Sequence, residues 1–191
     1  MQVVVGGIDL SASHKRKSGI CIIVNGIIMA CGEKLEDSEI IDFLYSKGKP
    51  KVVAIDAPLS LVSKGFRDVE LLLIREGYKL LPLSLESMKK LAKRAIMLRK
   101  ILEKDEVIVI ETHPTSALIS AGCNKGSASL PNCLSRYVKL ESDLKLESKD
   151  IRDAAIAACV AWMYVNNNTL VYRSANDSIH LLPRLNLDTK T

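Results

Sequence analysis

The chain has 191 residues, 48% hydrophobic and only 4% aromatic, with a formal net charge of +5. That length fits one domain over residues 1–191 with an aliphatic core, and the mild basicity permits an anionic partner without requiring one. The longest strongly apolar stretch, residues 154–165, is too short to span a bilayer, and Asp9 interrupts the amino-terminal apolar run, so a cytoplasmic protein without membrane anchor or signal peptide is expected.

Residues 3–10 read as a strand buried on both faces, with Gly6 and Gly7 marking close approach by another element. Residues 19–24 form a second apolar run. Asn25-Gly26 then gives a hairpin signal, and residues 27–31 return, so an antiparallel meander of three strands is expected. Asp37 or Ser38 is placed to cap a short helix through Tyr45, stopped by Gly48 and Pro50. Residues 51–55 are another buried strand, ending in IDAPL. Helices are expected over 66–76 and 85–103, within a helical insertion spanning about residues 59–106. Residues 107–110 are a further strand, ending in ETHP, followed by a short helix over 116–121 and a Gly/Ser/Asn-rich loop. Residues 150–165 form a helix apolar almost all round, whose alanines allow close packing on a sheet. The tail, with NNN and IHLLP, reads either as a small hairpin or as a strap across the core. A meander that continues through helical crossovers is an α/β fold, here a five-stranded mixed sheet flanked by helices, with its crossover strands parallel.

The five cysteines form no C-x-x-C pair, so neither a zinc site nor a disulfide framework is expected. Buried thiols in a reducing cytosol are the expectation, with a Cys123–Cys133 bridge left open. Glutamine occurs only at Gln2 while Lys, Glu and Ile are plentiful, a composition associated with heat-adapted proteins.

Three apolar strands end in an acid: Asp9, Asp56 and Glu111. Parallel strands bring their carboxyl ends to one edge, where open α/β sheets bind ligands. The last helix adds Asp150 and Asp153, whose i, i+3 spacing puts them on one face of its first turn. Each acid alone has an ordinary explanation. Asp56 before Ala-Pro forms turns, Asp150 and Asp153 can be a cap and capping-box acid, and Asp9 can accept from loop amides. Gathered together, carboxylates repel and their pKa values rise unless cations sit between them, and clustered hard oxygens select Mg²⁺ or Mn²⁺.

The segments GIDLSAS, VAIDAPLSL, FRDVELLLIREGY, KRAIMLRKIL, IETHPTSAL and KDIRDAAIAACVAW, in this order, resemble the domain of unknown function 429 family. That family is described as predicted nucleases with a ribonuclease H-like fold. The likeness spans nearly the whole chain and includes the late SIHLLP, and the D-x-x-D-A of the last helix is also similar to RuvC-type resolvases. The resemblance implies a metal-dependent phosphodiester hydrolase acting on nucleic acid, with ions about 3.5–4 Å apart. It places Asp9 between the ions, Asp56 and Asp153 on one each, Asp150 or Glu111 completing a shell, and Glu111 and His113 beside them in an E-x-H-P motif. One departure stands out: the position before the helix acid, often His in the family, is Lys149.

Basic and hydroxyl residues near these acids have two readings each. His14 to Lys17, with Lys15 and Arg16 at its centre, is either a solvated loop or a phosphate contact. Ser11 and Ser13 either donate to a phosphate or cap the turn. Arg67 either orients substrate or pairs with Asp68 or Glu70, and Arg94 either points at the site or lies on a solvated helix face. His113 either serves acid/base chemistry or holds a loop. Two rival functions are a non-catalytic module binding nucleic acid or protein, and an actin-like phosphotransferase. The second needs a second domain and a second phosphate loop that the chain does not contain. No aromatic stacking platform or groove-reading helix narrows the substrate.

Overall fold

A computed structural model describes residues 2–63, 65–123, 129–141 and 144–185. The amino-terminal meander forms as the sequence requires. β1 (Val4–Asp9), β2 (Ser18–Val24) and β3 (Ile27–Lys34) are antiparallel neighbours, and Asn25 and Gly26 take positive φ values of 49° and 81° in the tight turn between β2 and β3. α1 (Asp37–Tyr45) carries the chain to β4 (Val52–Asp56), parallel to β1. α2 (Asp68–Arg75) and α3 (Glu86–Lys104) then lead to β5 (Ile108–Thr112), parallel to β4. α4 (Pro114–Ser120), α5 (Leu130–Leu134) and β6 (Lys139–Leu140) precede α6 (Lys149–Val165), and β7 (Leu170–Arg173) and β8 (Ser178–Leu181) follow it.

The sheet has eight strands in the order β6-β3-β2-β1-β4-β5-β8-β7, which corrects the expected five. The additional strands cover the two edges that five strands would leave open. β8 runs parallel to β5 through Glu111↔Ile179 and Thr112↔His180, and Thr112 Oγ1 donates to the His180 carbonyl at 2.8 Å. The tail is thus a hairpin, β7–β8, built into the sheet. β6 covers β3 with two residues, too few to leave a pattern in the sequence.

Cap positions also shift. α1 is capped by Glu36 rather than Asp37 or Ser38, with Glu39 accepting from the Glu36 amide at 3.0 Å. α4 starts two residues earlier than expected, because His113 caps it ahead of Pro114.

The sheet separates two apolar layers. On one face Val5, Ala54 and Ile110 pack with the alanines of α6. On the other, Ile8, Val53, Ile55 and Val109 meet Ala95, Leu98 and Leu102 of α3 and Ile40 and Leu44 of α1. α6 lies against the sheet at main-chain contact. A Cβ on Gly7 would sit 2.0 Å from Ala158 N, and one on Gly19 2.0 Å from the Asp150 carbonyl oxygen.

The cysteines depart from the thiol expectation. Cys21 and Cys31 are register partners on β2 and β3 and are disulfide-bonded. The Cys123–Cys133 bridge, left open by the sequence, is formed. Adjacent antiparallel strands bring facing side chains close enough to bond, and spacing along the chain does not reveal that register. Cys159 is a buried thiol, its pKa pushed up by burial. Among the described residues no helix is long and apolar enough to cross a membrane.

Candidate active site

Asp9 and Asp56 are register partners at the carboxyl ends of the parallel strands β1 and β4, so their side chains leave the sheet side by side. Strand alternation decides which way they point. Val5 and Ala54 face α6, and so do Asp9 and Asp56, in phase with them. Asp150 and Asp153 come from the first turns of α6, held over this corner by Gly19, itself the partner of Asp9 on β2.

The electrostatics record the crowding. Burial, followed by the charges of Asp153 and Asp150, raises Asp9 from its ordinary 3.8 to about 7. Asp56 is raised well above the carboxylate range by burial, then by Asp9 and Asp153. Two cations oppose this. Lys149 Nζ lies 2.8 Å from Asp153 Oδ2, and Arg16 Nη2 lies 3.1 and 3.3 Å from the two oxygens of Asp150.

Glu111 borders the same cleft as Asp9 and Asp56 and its charge reaches Asp56, but its carboxylate is held from the other side. It pairs with Ile55, one residue out of step with Asp56, and so leaves the opposite face of β5. There Arg67, 1% exposed, donates through Nη1 to Glu111 Oε2 at 2.8 Å and through Nη2 to Oε1, and the Leu59 amide donates to Oε2 at 2.8 Å. Arg67 also holds Glu70 through Nε and Nη2, at 3.1 and 2.8 Å, and lies 3.7 Å from Asp177. Burial raises the Glu111 carboxyl, and the guanidinium opposes that rise. The expected Glu70 partner of Arg67 is therefore present, with Glu111 joined to it.

The remaining residues serve the loop after β1. Arg94 is 6% exposed, which corrects the solvated-face reading. It donates to Ser11 O and Oγ at 2.9 Å each, to Leu35 O at 3.0 Å and to Asp37 Oδ1 at 2.8 Å. Ser11 Oγ donates to the carbonyls of Ser13 and Arg16, and Ser13 Oγ accepts from the Lys15 amide, a turn built from hydroxyls. Lys15, Arg16 and Lys17 are exposed. His113 Nδ1 lies 2.7 Å from Ser116 Oγ and accepts from the Ser116 amide at 3.3 Å.

Two clefts meet at Asp9. One, of about 190 Å³, is lined by Asp56, Glu111 and His113 together with Leu81, Met88 and Leu91. The other, of about 330 Å³, is lined by Ser11, Ser13, Arg16, Lys17, Lys149 and Asp150. Lys149, the departure from the family pattern, reaches the acids through its Lys-x-x-x-Asp spacing to Asp153, a signal the sequence carries. Thr112, in register with Asp56, was missed because a threonine at a strand end carries no distinguishing pattern.

The donors suit a hard divalent cation: carboxylate oxygens, partly buried, their pKa values raised first by burial and then by one another's charge. Among the described residues no three His, Cys, Asp or Glu side chains form a ready ligand set as they stand. Asp153 is turned to Lys149 instead.

Two solved structures share this α/β fold. The structure of Thermus thermophilus RuvC superposes with a TM-score of 0.51 at 12% identity, over 86% of this chain and 97% of that one. T. thermophilus RuvC in complex with Holliday junction substrate gives 0.51 at 13% identity, over 86% and 96%. The chain has the RuvC fold, a ribonuclease H-like fold. No family model matches the chain, and no curated protein matches it.

Proposed function

We propose that this protein is a metal-dependent nuclease, kin to the domain of unknown function 429 family, hydrolysing phosphodiester bonds of nucleic acid with Mg²⁺ or Mn²⁺. The observation that carries the reading is the meeting of Asp9, Asp56 and Asp153, from two strands and a helix far apart in sequence, at the strand-end corner of a RuvC-like fold. When bound, the cations supply Lewis acidity to the attacked phosphate and to the leaving oxygen. Asp9, which the charge of Asp153 reaches and which stands in register with Asp56, would be the shared ligand, and Asp56 and Asp153 would each hold a cation. Arg16 orients Asp150 and, with Lys17, offers cations along the wider cleft to a phosphate backbone, and exposed Lys15 in the same loop adds a third. Ser11 and Ser13 shape that wall. Arg67 and Glu111 keep the β4 and β5 ends rigid, and Arg94 does the same for the β1 loop. His113 lines the narrower cleft and would serve acid/base chemistry there.

A second reading has a specific observation behind it. Arg16 and Lys149 neutralise two of the four acids without any metal, as a non-catalytic binding module would require. One experiment separates the two. Duplex, single-stranded and four-way-junction DNA and RNA are incubated with the protein and Mn²⁺. The nuclease reading expects cleavage that falls about a hundred-fold or more in Asp9→Asn. Cleavage surviving that substitution, or tight binding in EDTA with no cleavage under any condition, would overturn it.

A further inference from the structure

Lys149 stands on the first turn of α6 with its side chain 75% exposed, yet its ammonium reaches inward to Asp153, which is 16% exposed. The same charge acts favourably on Asp9 and on Asp56. The acid corner is thus partly neutralised by a side chain of its own. Such a pair, open to water at the lysine end, is weak, about 0–1 kcal/mol. A divalent ion carries twice the charge and accepts several carboxylate oxygens at once. The lysine has somewhere to go, because it lines the 330 Å³ cleft with Arg16 and Lys17.

Resting on the metal-dependent reading of this site, we propose that Lys149 is a tethered counter-ion that holds Asp153 until a divalent cation displaces it, and so sets how much metal the site demands. It is a positioning residue acting through Asp153. Once displaced, its ammonium stays on the wall of the basic cleft, beside the place a substrate phosphate would take.

The test is Mn²⁺ binding to the full chain by calorimetry at low salt, for the wild type, Lys149→Gln and Lys149→Arg. Removing the competitor tightens Kd roughly three- to five-fold in Lys149→Gln, while Lys149→Arg stays near the wild type. In EDTA, Lys149→Gln melts below the wild type, and saturating Mn²⁺ closes that gap. A Kd unchanged in Lys149→Gln reduces the contact to an ordinary i, i+4 helix pair and overturns the inference, leaving the nuclease reading intact. Absence of Mn²⁺ binding in all three proteins removes both.

Discussion

Asp9 keeps its proton in the folded chain to about pH 7, whereas an unfolded chain releases it near 3.8. The sign follows directly. Between those values the folded state binds more protons than the unfolded one, so metal-free stability falls as pH rises through this window. The loss is at most about 4 kcal/mol, less whatever water in the clefts screens. Denaturant titrations in EDTA at pH 5 and pH 7.5 are expected to show the more stable protein at pH 5, with the difference shrunken in Asp9→Asn. A wild type equally stable at both values would contradict the burial of Asp9 among other acids. This residue was legible in the sequence, because a carboxylate at the end of an apolar run has few destinations. Glu111 had the same signature and met a different fate. Its offset of one position against Asp56 turns it to the other face, and that register is fixed by how two strands pair, which neither strand displays alone. A buried guanidinium then has to meet it, since an unpaired carboxylate at 6% exposure would be far costlier.

α6 links the site to the core. Its alanines, buried from Ala154 to Ala161, let it lie on β1, β2 and β4, and Gly7 completes the fit by having no side chain to place between them. Gly7→Ala would set a methyl group against Ala158 N and Ala154 O, at 2.0 and 2.3 Å, neither of which can turn aside. Equilibrium denaturation is expected to show a loss of about 3 kcal/mol or more. A near-neutral effect would mean that helix and sheet are not in main-chain contact. The alanine run and the paired glycines were readable as a close-packed helix. Its exact partner strands were not, because small residues carry no directional pattern. Short elements escaped for a different reason: α5 and β6 are five and two residues long, below the span over which periodicity can show.

At the scale of the molecule, the meander of β1, β2 and β3 followed from one hairpin signal, and the parallel pairing of β4 and β5 from their helical crossovers, while the order in which they lie was not stated by any local pattern. The outer strands had no such signal, since they answer to the open edges rather than to a pattern of their own. The same holds for the disulfides. Two bridges leave one thiol, Cys159, of five cysteines. Titration of the denatured, unreduced chain is expected to find one reactive thiol, and five after reduction; five without reductant would sink both bridges. Each bridge joins residues 10 apart and contributes up to about 3 kcal/mol on the loop-entropy account. A single glutamine among 191 residues matches the composition associated with heat-adapted proteins. At Gly7 and Gly19 backbone meets backbone, and no rotamer there can take up slack. On the proposed metal-dependent reading, natural drift or a designed library would therefore adjust this corner to ions of different radius through the length of the acids themselves, one methylene at a time, by exchanging aspartate for glutamate at positions 9, 56 and 153.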